Sequence, residues 1–149
     1  MILGVDPGRG KTGWALTDSA GGLALSGICP TPEFGRVVAV LSSPTRQWEE
    51  KLAAWTLERR ASVTAVKCAA LGDGTGSPQI ALLLERLSVK TVLVDEEGTT
   101  LTARELYWRL HCPEWWRRLL PRSLWVPPRP VDDLAAWEIA LRVLRGRKA

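Results

Sequence analysis

The chain of 149 residues reads as an α/β protein with a mixed five-stranded sheet and helices on both faces. Its first thirty residues carry three short apolar runs joined by turn residues. From there to residue 112, runs with helical spacing alternate with apolar strand runs. Strands joined by tight turns pair antiparallel, and strands separated by helices pair parallel. No internal repeat is visible, so one domain over 1–149 accommodates the chain, with a Trp-, Arg- and Pro-rich insertion at about 113–130.

The first strand is Ile2–Asp6, the second about Thr12–Thr17 and the third Leu23–Cys29. Pro7-Gly8-Arg9-Gly10 turns the first hairpin and Gly21-Gly22 the second. A short helix is expected at Phe34–Leu41. A longer one is expected at about Thr45–Arg60, with Trp48, Leu52, Trp55 and Arg59 on one stripe. The fourth strand is Val63–Leu71, interrupted by Lys67. A glycine-rich loop, Gly72–Ser77, leads into a helix at Pro78–Leu87. The fifth strand is Thr91–Asp95, followed by helices at about Thr100–Leu110 and Val131–Arg145. Between these last two, residues 113–130 hold five prolines and three tryptophans. They are too broken for a helix and too aromatic for a disordered linker. Inward packing is expected for at least two of those tryptophans.

The 46% hydrophobic content fits a globular protein. No apolar run approaches the ~18 residues of a membrane helix, and no basic leader precedes the first strand, so a cytoplasmic location without membrane association is expected. The net charge of +4 is unevenly placed. Residues 101–149 hold ten Lys and Arg against five acids, and all but one of the ten are Arg. A guanidinium fork suits phosphate oxygens, so nucleic acid is the expected partner. Lys11, Arg117, Arg118, Arg122 and Arg129 are the candidate backbone contacts, and part of the excess is a basic helix end on its dipole. Cys29, Cys68 and Cys112 are widely spaced, which argues against structural zinc. His111 and Cys112 are adjacent on a helix and point apart.

Carboxylates at the ends of neighbouring elements are the chemistry-bearing residues. Asp6 ends the first strand beside a bare hairpin, where it could cap its own turn or hold a divalent cation against a phosphate. Asp95-Glu96 ends the fifth strand. Asp132-Asp133 opens the last helix, where one acid serves as a cap and Ala135-Ala136 allow close packing on the sheet. In the Gly72–Ser77 loop, Gly74 and Thr75 can present N–H groups to phosphate. Asp73 there is a turn residue or a substitute acid. Lys67 is an edge side chain that snorkels or a phosphate contact.

Asp6-Pro7-Gly8-Arg9-Gly10-Lys11-Thr12-Gly13 resembles the first-strand motif of the RuvC-like Holliday junction resolvases. It is also similar to that of the YqgF-like family of resolvases and pre-ribosomal-RNA nucleases. Asp95-Glu96 with Thr99, Thr100 and Ala103 resembles a second YqgF segment. Val131-Asp132 with Ala135-Ala136 resembles a third. With the Gly-rich loop, these motifs lie at 4–14, 69–77, 95–103 and 131–136, in the family's order. The resemblance implies an RNase H-like fold and an Mg²⁺- or Mn²⁺-dependent nuclease acting on RNA or branched DNA. It makes Asp6, Glu96 and Asp132 the catalytic metal ligands, with Asp133 in reserve. It also implies homodimers for the resolvase members, although no residue pattern here marks a dimer surface. Two departures stand out: Glu97 replaces the family's usual Arg, and the fourth strand has Lys67 but no Glu. They favour a rival reading, a non-catalytic RNase H-like module that binds nucleic acid or protein. An actin-like ATPase shares the Asp-x-Gly hairpin but needs a second related half.

Overall fold

The computed structural model describes residues 1–148. Six strands form one sheet: β1 (Ile2–Asp6), β2 (Lys11–Thr17), β3 (Leu23–Pro30), β4 (Thr56–Arg59), β5 (Cys68–Gly72) and β6 (Lys90–Val94). The order across the sheet is β4-β3-β2-β1-β5-β6. The pairs β1–β2, β2–β3 and β3–β4 are antiparallel, and β1–β5 and β5–β6 are parallel. Five helices accompany the sheet: α1 (Phe34–Ser42), α2 (Trp48–Leu52), α3 (Ser77–Arg86), α4 (Thr99–Leu110) and α5 (Asp132–Lys148).

Alternation along β1 and β2 sorts the side chains to two faces. Leu3, Val5, Trp14 and Leu16 join Phe34, Val37, Val38 and Leu41 of α1 and Ile80 and Leu84 of α3 in the main core. The opposite face offers small residues, including Gly4, Gly13, Ala15 and Ala70. There α4 and α5 pack through Ala103, Leu106, Leu134, Ala136, Ile139 and Ala140.

The sixth strand corrects the five-stranded expectation and the long helix at 45–60. Helix α2 stops at Leu52, and Thr56–Arg59 turns back as an edge strand, pairing Ser26 with Glu58 and Leu25 with Arg59. The physical reason is an inverted pattern. Glu58 faces inward and is buried, while Leu57 is 43% exposed. A strand whose buried member is charged does not read as apolar alternation. The Trp48, Leu52 and Trp55 spacing just before it mimics one long helix. The expected strand at 63–71 is also shorter. Residues 63–67 are irregular, and the Val66 amide bonds the Leu41 carbonyl at 3.0 Å.

Residues 113–130 form two single 3₁₀ turns, Arg117–Leu119 and Arg122–Leu124, in irregular chain. The Trp108 indole donates to the Trp125 carbonyl at 3.2 Å, and the Trp125 indole donates to the Leu120 carbonyl at 3.1 Å. Only Trp125 packs in this way. Trp115 is 76% and Trp116 41% exposed, so inward packing of two tryptophans does not hold.

Helix α5 lies unusually close to the sheet. A Cβ at Gly4 would overlap the Ala136 carbonyl and stand 3.1 Å from the Ala140 Cβ. A Cβ at Gly13 would fall on the backbone of Asp132. Asp132, Ala136 and Ala140 form one i, i+4, i+8 stripe resting on two glycines. Gly4→Ala should therefore destabilise the fold by about 2 kcal/mol or more, since rigid backbone must move. Urea unfolding measures this, and an unchanged midpoint would contradict the close seating.

Candidate active site

The β1–β2 register pairs Asp6 with Gly13. Directly opposite residues sit ~4.5–5.5 Å apart at Cα, and Asp132 rests on Gly13. Asp6 and Asp132 are thereby brought together by one strand pair and one helix start. The Lys11 ammonium, at the head of β2, meets Asp132 Oδ2 at 2.8 Å. Asp6, Gly8, Arg9, Gly10, Lys11 and Asp132 line an open cleft at this corner.

Glu96 arrives from the neighbouring strand. It follows β6 by two residues, and its carboxylate lies over the end of β5. A Cβ at Gly72 would stand 2.7 Å from Glu96 Oε2, and one at Gly74 would stand 2.5 Å from Oε1. The same Gly72 position is 3.2 Å from Pro7 Cδ, beside Asp6. The two glycines thus leave space that the glutamate fills. Its loop is pinned on both sides. The Glu96 amide donates to Asp73 Oδ1 at 3.1 Å. Arg142 of α5 donates to the Asp95 carbonyl at 2.6 Å and to the Glu97 carbonyl at 2.8 Å. Asp73 is therefore a staple for Glu96. Arg142, which reads in the sequence as part of a solvated helix end, fixes this loop.

The electrostatics follow from the geometry. Burial, aided by the charges of Asp132 and Glu96, pushes the Asp6 carboxyl up to about 7, with Lys11 opposing. Burial and the neighbouring Asp73 and Asp95 also raise Glu96, against a backbone hydrogen bond from Gly74. Glu96 Oε2 is buried without a hydrogen-bond partner. Among the described residues no three His, Cys, Asp or Glu side chains stand close enough to enclose a metal ion as placed, and the Lys11 ammonium sits on Asp132. The donor set is nevertheless suited to a hard divalent cation. It consists of carboxylate oxygens only, one of them an orphaned buried atom, and Asp6 has no ion-pair partner among the described residues.

Asp133 turns the other way. It is fully buried, accepts from Ser26 Oγ at 2.6 Å and pairs with Arg129 at 2.8 Å. Arg129 also reaches Glu58 Oε1 at 3.0 Å. Asp133, the reserve ligand, is thus buried away from the cleft, and Arg129, a candidate phosphate contact, is already paired with two carboxylates. His111 Nε2 lies 2.5 Å from Glu58 Oε1, and Arg60 3.3 Å from Oε2. Burial alone would raise Glu58, but hydrogen bonds from His111 and Arg129 and the charges of His111 and Arg60 hold it below the usual carboxylate range.

The remaining candidates divide. Gly74 and Thr75 flank the site, with Thr75 exposed. Lys67 precedes β5, whose Cys68 pairs with Ile2. It therefore lies at the far end of β1 from Asp6, roughly 15 Å away along the strands. Arg117 is sandwiched between Trp108 and Trp116, with its guanidinium 5.2 and 4.6 Å from their ring centres. Arg118 bonds Cys112 Sγ at 3.1 Å, and Arg122 stands over Trp125. The Glu97 side chain is exposed. Sequence reasoning missed Arg9, which lines the cleft, and Arg142. An arginine's role depends on which acid or carbonyl it meets, and no local pattern shows that.

No protein-family model matches this chain, and no curated protein matches it either.

Two outcomes test this arrangement. Arg129→Ala leaves two buried carboxylates short of their cation, and should cost about 3–5 kcal/mol in urea unfolding. Asp6→Asn should stabilise the metal-free protein, because the raised pKa disfavours the charged form in the fold. The gain is absent below the ordinary pKa of 3.8, grows as pH rises to about 7 and then levels off. It should reach on the order of 4 kcal/mol at pH 8. Thermal melts of both proteins from pH 4 to pH 8 read the gap, and a pH-independent difference would contradict the assignment.

Proposed function

We propose that the chain is a divalent-metal-dependent nuclease of the YqgF/RuvC kind, with an RNase H-like fold, hydrolysing phosphodiesters in structured or precursor RNA or in branched DNA. One observation carries the reading. Asp6 and Asp132 line one cleft at the end of the sheet with Glu96 beside it over Gly72 and Gly74, and of the three only Asp132 has an ion-pair partner among the described residues. Structural acids in this fold have partners, as Glu58 and Asp133 do. Acids left uncompensated at a cleft are the pattern of a catalytic site.

Asp6, Glu96 and Asp132 would hold Mg²⁺ or Mn²⁺. When bound, such an ion supplies an activated water and neutralises charge on the phosphoryl group. The chain's own residues do the rest. Arg9 and Lys11 place positive charge at the mouth of the cleft, where substrate phosphates arrive. Lys11, now on Asp132, is free to turn to phosphate once a cation takes that carboxylate. Gly72 and Gly74 keep side chains out of the space that Glu96 needs.

A second reading, a non-catalytic nucleic-acid-binding module, draws support from that same Lys11–Asp132 bridge, which neutralises one ligand internally. Cleavage assays separate the two. Labelled precursor ribosomal RNA, single strands and four-way junctions are incubated with Mg²⁺, Mn²⁺ or EDTA. Cleavage is expected with either metal and not with EDTA. Asp6→Asn and Glu96→Gln should each lower it by about 100-fold or more while substrate binding persists. Binding that is indifferent to EDTA, with no cleavage of any substrate, would establish the module instead.

A further inference from the structure

A second groove, of about 230 Å³, continues from the acidic cleft and shares Lys11 and Asp132 with it. One wall is α4, which contributes Thr100 and Arg104. The other is the end of the insertion and the start of α5, including Val126, Pro127, Pro130 and Val131. Thr100 and Arg104 are four residues apart, so they stand on one helix face along the groove. The facing wall is apolar at Val126, Pro127, Pro130 and Val131, and it also carries Arg129.

The cations of this groove are not equivalent. Arg129 is committed to Asp133 and Glu58, and Lys11 to Asp132. Arg104 is exposed and makes no ion pair or hydrogen bond among the described residues. Its neighbour Glu105 projects about 100° away around the helix and does not neutralise it there. A free guanidinium and a hydroxyl on one wall, an apolar surface on the other and a reactive centre at one end suit one chemical unit. The phosphate of a nucleotide would meet Arg104 and Thr100, and its base would lie against Val126 and Pro127. The volume is below the ~300 Å³ at which drug-sized sites begin, which limits the occupant to about one nucleotide.

We propose that this groove binds one unpaired nucleotide of the substrate strand, adjacent to the scissile phosphate, with Arg104 as its phosphate-binding residue. The proposal rests on the nuclease reading of the acidic corner and adds a preference for single-stranded character beside the cut. The apolar wall belongs largely to the insertion, which lies outside the motifs that suggest a family. The subsite is therefore a property of this chain.

The test uses the full chain and fluorescence anisotropy in EDTA, so that nothing is cleaved. The probes are a labelled single-stranded oligonucleotide and the duplex of the same sequence. The single strand should bind more tightly. Arg104→Ala should weaken its binding about tenfold and lower the log–log salt slope by about 0.7. Arg104→Lys should restore the slope but not the full affinity, since a point charge replaces a fork. Arg109→Ala, an exposed arginine on the same helix outside the groove, should bind as wild type. Val126→Asp should weaken the single strand by placing a carboxylate on the wall. Circular dichroism melts confirm that each variant folds.

If Arg104→Ala and Arg109→Ala bind alike, the groove proposal is overturned. Tighter binding of the duplex overturns it too. The parallel cleavage assay keeps the two claims apart. Wild-type cleavage with an indifferent Arg104→Ala removes the groove and keeps the nuclease. Loss of single-strand binding in Arg104→Ala, with a wild type that cleaves nothing, keeps the groove and removes the nuclease.

Discussion

The seating of α5 on two glycines governs the corner where the chemistry is proposed. Gly4 and Gly13 let the helix backbone descend onto β1 and β2 at Ala136 and Asp132. Any Cβ at these positions would lift the helix and carry Asp132 away from Asp6. The same helix supplies Arg142, which holds the loop bearing Glu96. One packing constraint thus positions two of the three acids relative to the first. Distances at a metal or phosphate site must hold to a fraction of an ångström. A helix locked by backbone contact gives that better than a loop does.

The carboxylates fall into two groups according to what surrounds them. Glu58 and Asp133 are buried but meet Arg129, with His111, Arg60 and Ser26 completing their hydrogen bonds. Glu58 is held below its ordinary range. Its stabilising contribution is present above pH ~4.5 and lost on acidification. Asp6 is the reverse: its charge is a burden above about pH 7, relieved as pH falls. One chain therefore contains a charge cluster that braces the fold and a charge cluster that strains it. The strained one lies in an open cleft with two cations at its rim. Strain of this kind at a cleft is the feature on which the proposal of a divalent cation rests.

Much of this was legible in the residues. Strand β1 with its terminal Asp6, the second hairpin and helices α1, α3 and α4 have clean periodicity and turn chemistry, and their bounds shift by only a residue or two. Asp6, Glu96 and Asp132 could be singled out in the sequence because each sits at or just past the end of an element. What stayed hidden shares a cause. Strand β4 is built around a buried Glu58, whose place is secured by Arg129 some seventy residues later. The resemblance set Asp132 ahead of Asp133, but the buried pairing of Asp133 with Arg129 and Ser26 depends on the helix phase and could not be read from the residues. Lys67 drew attention by interrupting an apolar run, but β5 begins just after it.

The arginines make the same point about charge. A net excess in the last third suggests a single basic face, yet the structure divides these residues by task. Arg129, Arg142 and Arg145 are bound to carboxylates or carbonyls and brace α5 and its neighbours. Arg117 is stacked between indoles, where it stiffens the insertion. A guanidinium already engaged inside the protein must break those contacts before it can hold a phosphate, so its formal charge overstates its value to a ligand. The cations that matter for recognition are those with nothing to give up. At this corner they are Arg9 on the cleft and Arg104 on the adjoining groove. On the proposed nuclease reading, a substrate strand lying along the cleft and the groove would meet both of these cations beside the carboxylates.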